Sequence, residues 1–298
     1  MKLSAFRIGV IYIKTLYISD LDGTLLNSSG ELSENTASDL NFLLDKGMHF
    51  TFATARTIYS AGAITAALDI DIPCILMNGV CIYDLKKREY VNVEAIPREL
   101  ADKVASFYEE YGVECFMFRI CGQKLTTYYT KLTERVMASF AEDRQKKYGK
   151  PFVQCSDFRD VTDGDAVYFT STSSYESLLP VRNAVKEVEG LDCAFYEDTY
   201  TGKWYLEVFS SEASKANGIK KLRKLYGYEK VVCFGDNLND LAMFEQSDVK
   251  IAVENAREEV RAAADIIIGS NDNNGVAEYL KERTLSSQEL IDIKKNNY

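Results

Sequence analysis

"YISDLDGTLLNSSG" occupies residues 17–30 and places two aspartates directly after an apolar run. The run TLYIS (15–19) has the length and composition of a buried strand. Asp20 and Asp22 follow it with one residue between them, and then come Gly23 and Thr24. In open α/β sheets, ligands bind beyond the carboxyl ends of the strands. The stretch therefore predicts that both carboxylates lie beside a ligand site.

Apolar runs alternate with helical patterns at both ends of the chain. In the first 80 residues the runs are TLYIS, HFTFAT and CILMN; after residue 214 they are VVCFGD, KIAV and DIIIG. Continuous apolar runs joined by helices are typical of a parallel sheet that is covered on both faces. We therefore predict an α/β fold whose Rossmann-like parallel-sheet core is built from residues 1–83 and 206–298.

The middle of the chain has a different texture. Strand-like runs rich in aromatic and β-branched residues occur there in pairs, with helical stretches near 98–111, 131–148 and 174–189. We predict that residues 84–205 form a separate α+β domain inserted into the core.

The net charge restricts the partners. A formal charge of −10 and a pI near 4.9 leave no positive field with which to bind nucleic acid or an anionic membrane. No window approaches the roughly 20 apolar residues of a membrane span. A small anionic ligand remains compatible with this charge, because a bound cation and local donors override it inside a pocket. The sequence leaves open whether the chain is a monomer or a homodimer.

The cysteines do not indicate a zinc site or a disulfide framework. No C-x-x-C pair is present, and the chain has a single His. Apolar neighbours favour buried, reduced thiols and hence the cytoplasm. The seven cysteines are at positions 74, 81, 115, 121, 155, 193 and 233.

Both chain ends have less definite patterns. We expect residues 1–12 to be an extension without function or an extra strand segment, because their apolar stretch is too short for a signal peptide. Residues 286–298 suggest a short helix or a frayed tail.

Polar side chains recur where the predicted strands end. Asp20, Thr54, Asn78 and Asp236 each follow or end an apolar run, so four strands deliver oxygen or amide groups to one edge of the sheet. Crowded carboxylates repel each other and call for a cation. An oxygen-only set suits Mg²⁺ better than zinc or copper.

A phosphate is the natural partner of such a magnesium ion. Gly23 and Thr24 open a loop where backbone N–H groups can approach an anion, and Lys215 near a helix start adds a positive charge. Taken singly, each feature has a simpler explanation: a turn for D-x-D-G, a helix cap for Thr54, a solvated residue for Lys215. Those explanations do not account for their common position at one edge.

Four ordered motifs resemble those of the haloacid dehalogenase-like (HAD) superfamily. They are DLDGTLL (20–26), TFATAR (51–56), SK (214–215) and GDNLND (235–240). The large insertion, the NG at 78–79 and NDNNGVAEYL (271–280) resemble the Cof-type subfamily of sugar-phosphate phosphatases. The resemblance extends from about residue 14 to about residue 282 and implies the HAD fold, with residues 84–205 as a cap domain that determines substrate specificity.

The resemblance also implies roles for individual residues. Asp20 would be the nucleophile that forms an aspartyl-phosphate, Asp22 the general acid and then the base, and Lys215 an electrostatic partner of both Asp20 and the phosphate. The implied phosphate-binding residues are Gly23, Thr54, Ala55, Lys215 and Asn239, and the implied Mg²⁺ ligands are Asp20, Asp22 through its carbonyl, Asp236 and Asp240.

Two positions depart from the subfamily pattern. Ala55 stands where TGR is usual, and Ala216 stands where SKG is common. Neither change removes a reacting group.

We therefore expect a Mg²⁺-dependent phosphatase, an EC 3.1.3-type hydrolase of small phosphorylated metabolites such as sugar phosphates. A phosphotransferase or phosphomutase of the same superfamily is the alternative, and a catalytically silent binding module is a third. Cap residues such as Arg119, Tyr128, Tyr129 and Lys203 are candidates for leaving-group recognition, although core or surface strand positions are the stronger explanation for most of the aromatics.

Overall fold

The computed structural model describes residues 13–197 and 202–284. The predicted extension at residues 1–12 and the predicted tail at residues 286–298 lie outside these ranges. In the described ranges, no helix combines the length and apolarity needed to cross a membrane.

In the core, the strands and helices of the described residues alternate along the chain. In the middle of the chain, pairs of strands are separated by single helices. The strands are β1 (Thr15–Ser19), β2 (His49–Phe52), β3 (Cys74–Leu76), β4 (Cys81–Asp84), β5 (Glu89–Val93), β6 (Phe116–Cys121), β7 (Lys124–Tyr129), β8 (Phe152–Gln154), β9 (Asp165–Ser173), β10 (Leu191–Glu197), β11 (Trp204–Ser210), β12 (Lys230–Gly235), β13 (Val249–Val253) and β14 (Ile266–Ile268). The α-helices are α1 (Glu34–Asp45), α2 (Ile58–Ile64), α3 (Arg98–Glu110), α4 (Arg135–Tyr148), α5 (Tyr175–Lys186), α6 (Lys215–Tyr226), α7 (Leu241–Phe244), α8 (Glu258–Ala263) and α9 (Gly275–Thr284).

A five-stranded parallel sheet is the centre of the core. Its order is β14-β13-β12-β1-β2, so β1 lies between a strand from each end of the chain. Leu16 and Ile18 on one face of β1 and Ser19 on the other are fully buried, as expected for a strand covered on both faces. The prediction of an α/β fold with a parallel-sheet core is confirmed.

A small antiparallel sheet, β3-β4-β5, extends this core. A single parallel bridge between Ala53 and Ile75 joins it to the end of β2. Strand β5 pairs with β4, although the sequence placed residues 84–93 in the inserted domain. The predicted boundary at residue 84 therefore divides a hairpin that belongs to the core side.

The inserted segment forms a six-stranded sheet in the order β10-β11-β9-β6-β7-β8. Strand β11 runs to Ser210, so the predicted boundary at residue 205 falls inside a cap strand. Aromatic and β-branched residues do not reveal which sheet a strand joins, so the boundaries at residues 84 and 205 stay predictions. We propose that the cap domain begins after β5 and ends with β11.

The two faces of the cap sheet have different neighbours. Met117, Phe169 and Leu206 point into a cluster with α3 and α5, on the side away from the core. Phe118, Tyr168 and Glu207 occupy alternating positions and line a cleft between the cap and the core. The two-residue period of a strand thus separates the packing face of the cap from its cleft face.

All seven cysteines are free. Cys74, Cys81, Cys115 and Cys233 are buried, as their apolar neighbours predicted. The expectation of burial is wrong for Cys121, which is exposed, and for Cys155 and Cys193, which are half-buried.

Candidate active site

The carboxyl ends of β1, β2 and β12 converge on one edge of the central sheet. Asp20 directly follows β1, Asp236 directly follows β12, and Thr54 lies two residues after β2. Lys215 is the first residue of α6, where the Ser214 side chain caps the helix by accepting a hydrogen bond from the Asn217 N–H at 3.0 Å.

Lys215 lies at the centre of this group. Its Nζ donates to Asp20 Oδ1 at 2.5 Å and to Asp240 Oδ1 at 2.8 Å, and the residue is only 2% exposed. Burial alone would lower the pKa of Lys215, but the two carboxylates outweigh it and hold that pKa above its usual value. The lysine is therefore a fixed positive charge beside the candidate nucleophile.

Three carboxylates surround the position where a cation fits. One oxygen from each of Asp20, Asp236 and Asp240 lies within 4.8 Å of the others. Burial raises the pKa of Asp20 well above its usual value despite Lys215, and burial together with Asp240 raises the pKa of Asp236 to about 6. Raised pKa values show that the ionised carboxylates are under-compensated, which is the condition that a bound divalent cation relieves.

The oxygens of these carboxylates differ in what they already bind. Thr24 donates to Asp236 Oδ1 at 2.8 Å, while the remaining oxygens of Asp20 and Asp236 accept no hydrogen bond from the described residues. Asp240 is fully buried and accepts from Lys215 and from the N–H groups of Asp236 and Asn237. Asp20 and Asp236 thus retain oxygens for a metal, whereas Asp240 positions Lys215 and the loop after β12.

Asp22 lies apart from the carboxylate cluster. Its two oxygens accept hydrogen bonds from Arg56, from Nε at 2.7 Å and from Nη2 at 2.6 Å. The side chain of Asp22 is 52% exposed and faces the cleft. This position suits a group that exchanges protons with a leaving group or with water, and the sequence had not singled out Arg56 as its partner.

The predicted phosphate-binding residues are distributed unevenly. Gly23 and Ala55 line the cleft, and Thr54 is buried with its hydroxyl accepting a hydrogen bond from the Arg56 N–H at 3.1 Å. Asn239 is exposed and is not among the residues that line the cleft; Asn237 lines it instead. The role of Asn239 in phosphate binding stays a prediction.

Two glycines permit close approaches that shape the site. A Cβ on Gly23, at φ +80°, would lie 2.5 Å from Asp236 Oδ2. A Cβ on Gly79, at φ +101°, would lie 2.1 Å from the carbonyl oxygen of Ser214. Real Cβ contacts do not come this close, so glycine is required for the loops after β1 and β3 to reach Asp236 and the start of α6.

Two asparagines that the sequence did not assign hold the loop after β1. Asn255 Nδ2 donates to the Gly23 carbonyl at 2.7 Å, and Asn271 Nδ2 donates to the Leu26 carbonyl at 2.9 Å. The two are linked, because the Asn271 N–H donates to Asn255 Oδ1 at 3.0 Å. Asn271 is the first residue of the NDNNG stretch. The similarity of this stretch to the subfamily was the only feature of the sequence that pointed to a role for Asn271.

A cleft of about 690 Å³ connects the site with the cap. The core contributes Asp22, Gly23, Arg56 and Asp236, among others, and the cap contributes mainly aromatic and charged side chains. The cap residues are Phe118, Phe140, Arg144, Tyr148, Lys150, Tyr168, Thr170, Tyr196, Tyr205 and Glu207.

The cap candidates named from sequence have other positions. Arg119 donates to the carbonyls of Asp163 and Gly164, and the Tyr128 hydroxyl donates to Asp163. Arg119, Tyr128, Tyr129 and Lys203 are not among the residues that line the cleft. The first two stabilise the loop before β9 instead.

Comparisons with known proteins point to a single family. A family model described as haloacid dehalogenase-like hydrolase matches residues 17–280. The chain is 29% identical to the 5-amino-6-(5-phospho-D-ribitylamino)uracil phosphatase YwtE of Bacillus subtilis, over 90% of this chain and 97% of that protein. It is 24% identical to the pyridoxal phosphate phosphatase YbhA of Escherichia coli, over 88% and 95% of the two chains.

Solved structures agree in fold. TM0651 from Thermotoga maritima has a TM-score of 0.74 and 25% identity, covering 93% of this chain and 99% of that one. A haloacid dehalogenase-like hydrolase from Bacteroides thetaiotaomicron has a TM-score of 0.75 and 21% identity, covering 90% and 99%.

Proposed function

The chain belongs to the haloacid dehalogenase-like hydrolase family, and from this membership we propose that it is a Mg²⁺-dependent phosphatase that cleaves small phosphomonoesters through an aspartyl-phosphate. The observation that carries the proposal is Lys215, which is buried between Asp20 and Asp240. Asp236, whose carboxylate lies near both of these carboxylates, lines the cleft together with Asp22.

In the first step, Asp20 acts as the nucleophile. A carboxylate oxygen attacks phosphorus, the bond to the leaving oxygen breaks, and Asp22 transfers a proton to that oxygen. Lys215 offsets the charge shared by Asp20 and the phosphoryl oxygens. Both oxygens of Asp22 accept hydrogen bonds from Arg56, so one of them has to turn from the guanidinium before it donates a proton.

In the second step, Asp22 acts as the base. It takes a proton from a water molecule, which attacks the phosphorus of the aspartyl-phosphate and releases inorganic phosphate and Asp20. One residue thus serves both proton transfers, which requires it to remain mobile and solvated, as the 52% exposure of its side chain allows.

The residues fit a magnesium ion. Asp20 and Asp236 each have an oxygen without a hydrogen-bond donor among the described residues, and with the Asp22 carbonyl they would form an all-oxygen set. When bound there, Mg²⁺ supplies positive charge that offsets the carboxylates and the phosphate.

The relatives support a small phosphorylated metabolite as the substrate. Both named phosphatases act on phosphomonoesters of small molecules, and the cleft of about 690 Å³ has room for such a compound. A sugar phosphate remains our proposal for the substrate class. The buried reduced thiols support the cytoplasm as its compartment.

Phosphate release tests the proposal. Wild-type protein and Asp20→Asn are incubated with p-nitrophenyl phosphate and a panel of metabolite phosphates, with Mg²⁺ or with EDTA. We expect release that requires Mg²⁺ and disappears in the variant. Retention of the phosphate on a second sugar would instead support the phosphotransferase alternative, and no turnover of any compound would support a silent binding module.

A further inference from the structure

The cap wall of the cleft carries a row of four side chains with distinct chemistry. Lys150 stands at one end, Phe118 and Tyr168 follow, and Glu207 stands at the other end. Lys150 Nζ lies 3.9 Å from the centre of the Phe118 ring, and the Phe118 and Tyr168 rings meet edge to face at 5.6 Å. Tyr168 and Glu207 belong to the paired strands β9 and β11.

Lys150 is buried without an acidic partner. The residue is 4% exposed, and its ammonium contacts the rings of Phe118 and Phe152 but forms no ion pair with a described residue. An aromatic face attracts a cation but does not accept its hydrogen bonds as an oxygen does. A charged group buried this deeply is normally paired with an opposite charge. Lys150 therefore lacks the anionic partner that a bound ligand could supply at this end of the cleft.

A second cation strengthens this interpretation. Arg144 also lines the cleft, and its guanidinium stacks on Phe140 at 4.7 Å while Nη1 binds Asp143 at the surface. Burial, and then the charge of Arg144, lower the pKa of Lys150 well below its usual value. A bound anion reverses both effects, because it favours the charged ammonium.

The other end of the row carries a hydroxyl and a carboxylate. Tyr168 Oη and Glu207 Oε2 are buried near each other, but neither has a partner within hydrogen-bond distance among the described residues. The second oxygen of Glu207 accepts from the Tyr196 hydroxyl at 3.2 Å. Buried polar atoms left without partners are rare in folded proteins, and a ligand with hydroxyl groups would satisfy both.

We propose that Lys150 binds a second anionic group on the leaving side of the substrate, and that Tyr168 and Glu207 bind hydroxyl groups of the same molecule. The substrate class is then a hydroxylated phosphomonoester that also carries a carboxylate. This inference rests on the proposed phosphatase activity and narrows its substrate.

Two matched pairs of compounds test the anionic group. 6-Phosphogluconate differs from sorbitol 6-phosphate, and 3-phosphoglycerate from glycerol 3-phosphate, by a carboxylate in place of a hydroxymethyl group. Each compound is measured as a competitor of p-nitrophenyl phosphate hydrolysis by the full chain with Mg²⁺. We expect the acid of at least one pair to compete about tenfold better or more, as a hydrogen-bonded charge contributes. Equal competition within both pairs overturns the proposal.

Substitution then assigns the effect to Lys150. In Lys150→Met the advantage of the acid falls to within about twofold, while competition by the matched alcohol is unchanged; Lys150→Arg retains part of the advantage. Lys146→Met is the matched control, because Lys146 is an exposed lysine four residues earlier that does not line the cleft. The assignment to Lys150 is overturned if the acid still competes about tenfold better than its alcohol in Lys150→Met. It is also overturned if competition by the acid and by the alcohol weakens equally in this variant. If Lys150→Met does not fold, the assignment is tested by comparing the matched compounds in wild type and in Lys150→Arg. Loss of the acid's advantage in folded Lys150→Arg also overturns the assignment.

Failure of this inference is distinguishable from failure of the proposed function. Hydrolysis of p-nitrophenyl phosphate without preference for the acids overturns the subsite alone. If wild-type protein hydrolyses nothing, the proposed function fails, and calorimetric titration of the same four compounds tests the preference without turnover. Equal binding within both pairs then overturns the subsite as well.

Discussion

Replacement of Lys215 by methionine removes the charge that holds two buried carboxylates together. Lys215, Asp20 and Asp240 are 2%, 6% and 0% exposed, so solvent compensates for the lost ammonium poorly. Breaking a buried ion pair by removing one partner costs about 3–5 kcal/mol. We expect the unfolding free energy of Lys215→Met, measured in EDTA, to be lower than that of wild type by this amount. We also expect kcat to fall by a factor of about 10²–10³, because the variant has lost an electrostatic contact to the reacting groups.

Urea unfolding followed by circular dichroism measures the stability, with the slope of free energy against urea concentration kept as a check on the unfolded state. The measurement is repeated with Mg²⁺, because ligand at one hundred times its Kd adds about 2.7 kcal/mol to a folded protein that binds it. Since the variant has lost its internal cation, we expect Mg²⁺ to stabilise it at least as much as wild type.

Lys220→Met is the control, because Lys220 is exposed on the same helix. Surface substitutions of this kind change stability by about 0.5 kcal/mol or less. A loss below about 1 kcal/mol in Lys215→Met, or an equal loss in Lys220→Met, would refute the view that Lys215 compensates buried carboxylates.

Two further substitutions test the loop and the metal site. Gly23→Ala brings a Cβ to within 2.5 Å of Asp236 Oδ2, so we expect a lower melting temperature and loss of phosphate release. Gly47→Ala is the control, because Gly47 has a similarly strained φ of +89° but an added Cβ there meets nothing within 4 Å; this variant should keep its activity. Activity in Gly23→Ala equal to that of Gly47→Ala would contradict the close-approach argument. Asp236→Asn removes a charged oxygen from the proposed metal set, so calorimetric titration should show Mg²⁺ affinity at least about tenfold weaker; unchanged affinity would place the ion elsewhere.

The central sheet was predictable from sequence because most residues of its strands are apolar and lie in short runs. Strands β1, β12 and β13 are buried along most of their length, and such runs need no partner to be recognised. Strand β8 (FVQ) was missed because it is three residues long and has two exposed positions. Strand β4 (CIYD) was missed because only the NG turn and Val80 separate it from the preceding apolar run CILM, so it was not recognised as a second strand.

The site was predictable to the extent that it lies at strand ends. Asp20, Asp236 and Lys215 come together because parallel strands end at one edge, a rule that topology alone supplies. Arg56 and Lys150 escaped prediction because their importance depends on what they face: Asp22 for Arg56, and aromatic rings without an ion-pair partner among the described residues for Lys150. Asn237 and Asn239 are two positions apart, and sequence alone does not determine which of them faces the cleft.

The contacts around Asp20 span almost the whole chain, and this has a consequence for biosynthesis. The hydrogen bond from Lys215 to Asp20 joins residues 195 positions apart, and that from Asn271 to Leu26 joins residues 245 apart. Closing such loops is slow, and domains fold as units during synthesis. The cap strands are contiguous in sequence, so the cap has its pairing partners while the ribosome is still making the core. Strand β1 waits for β12 to emerge, and during that interval β2 covers one edge of β1 while the edge that later pairs with β12 stays open.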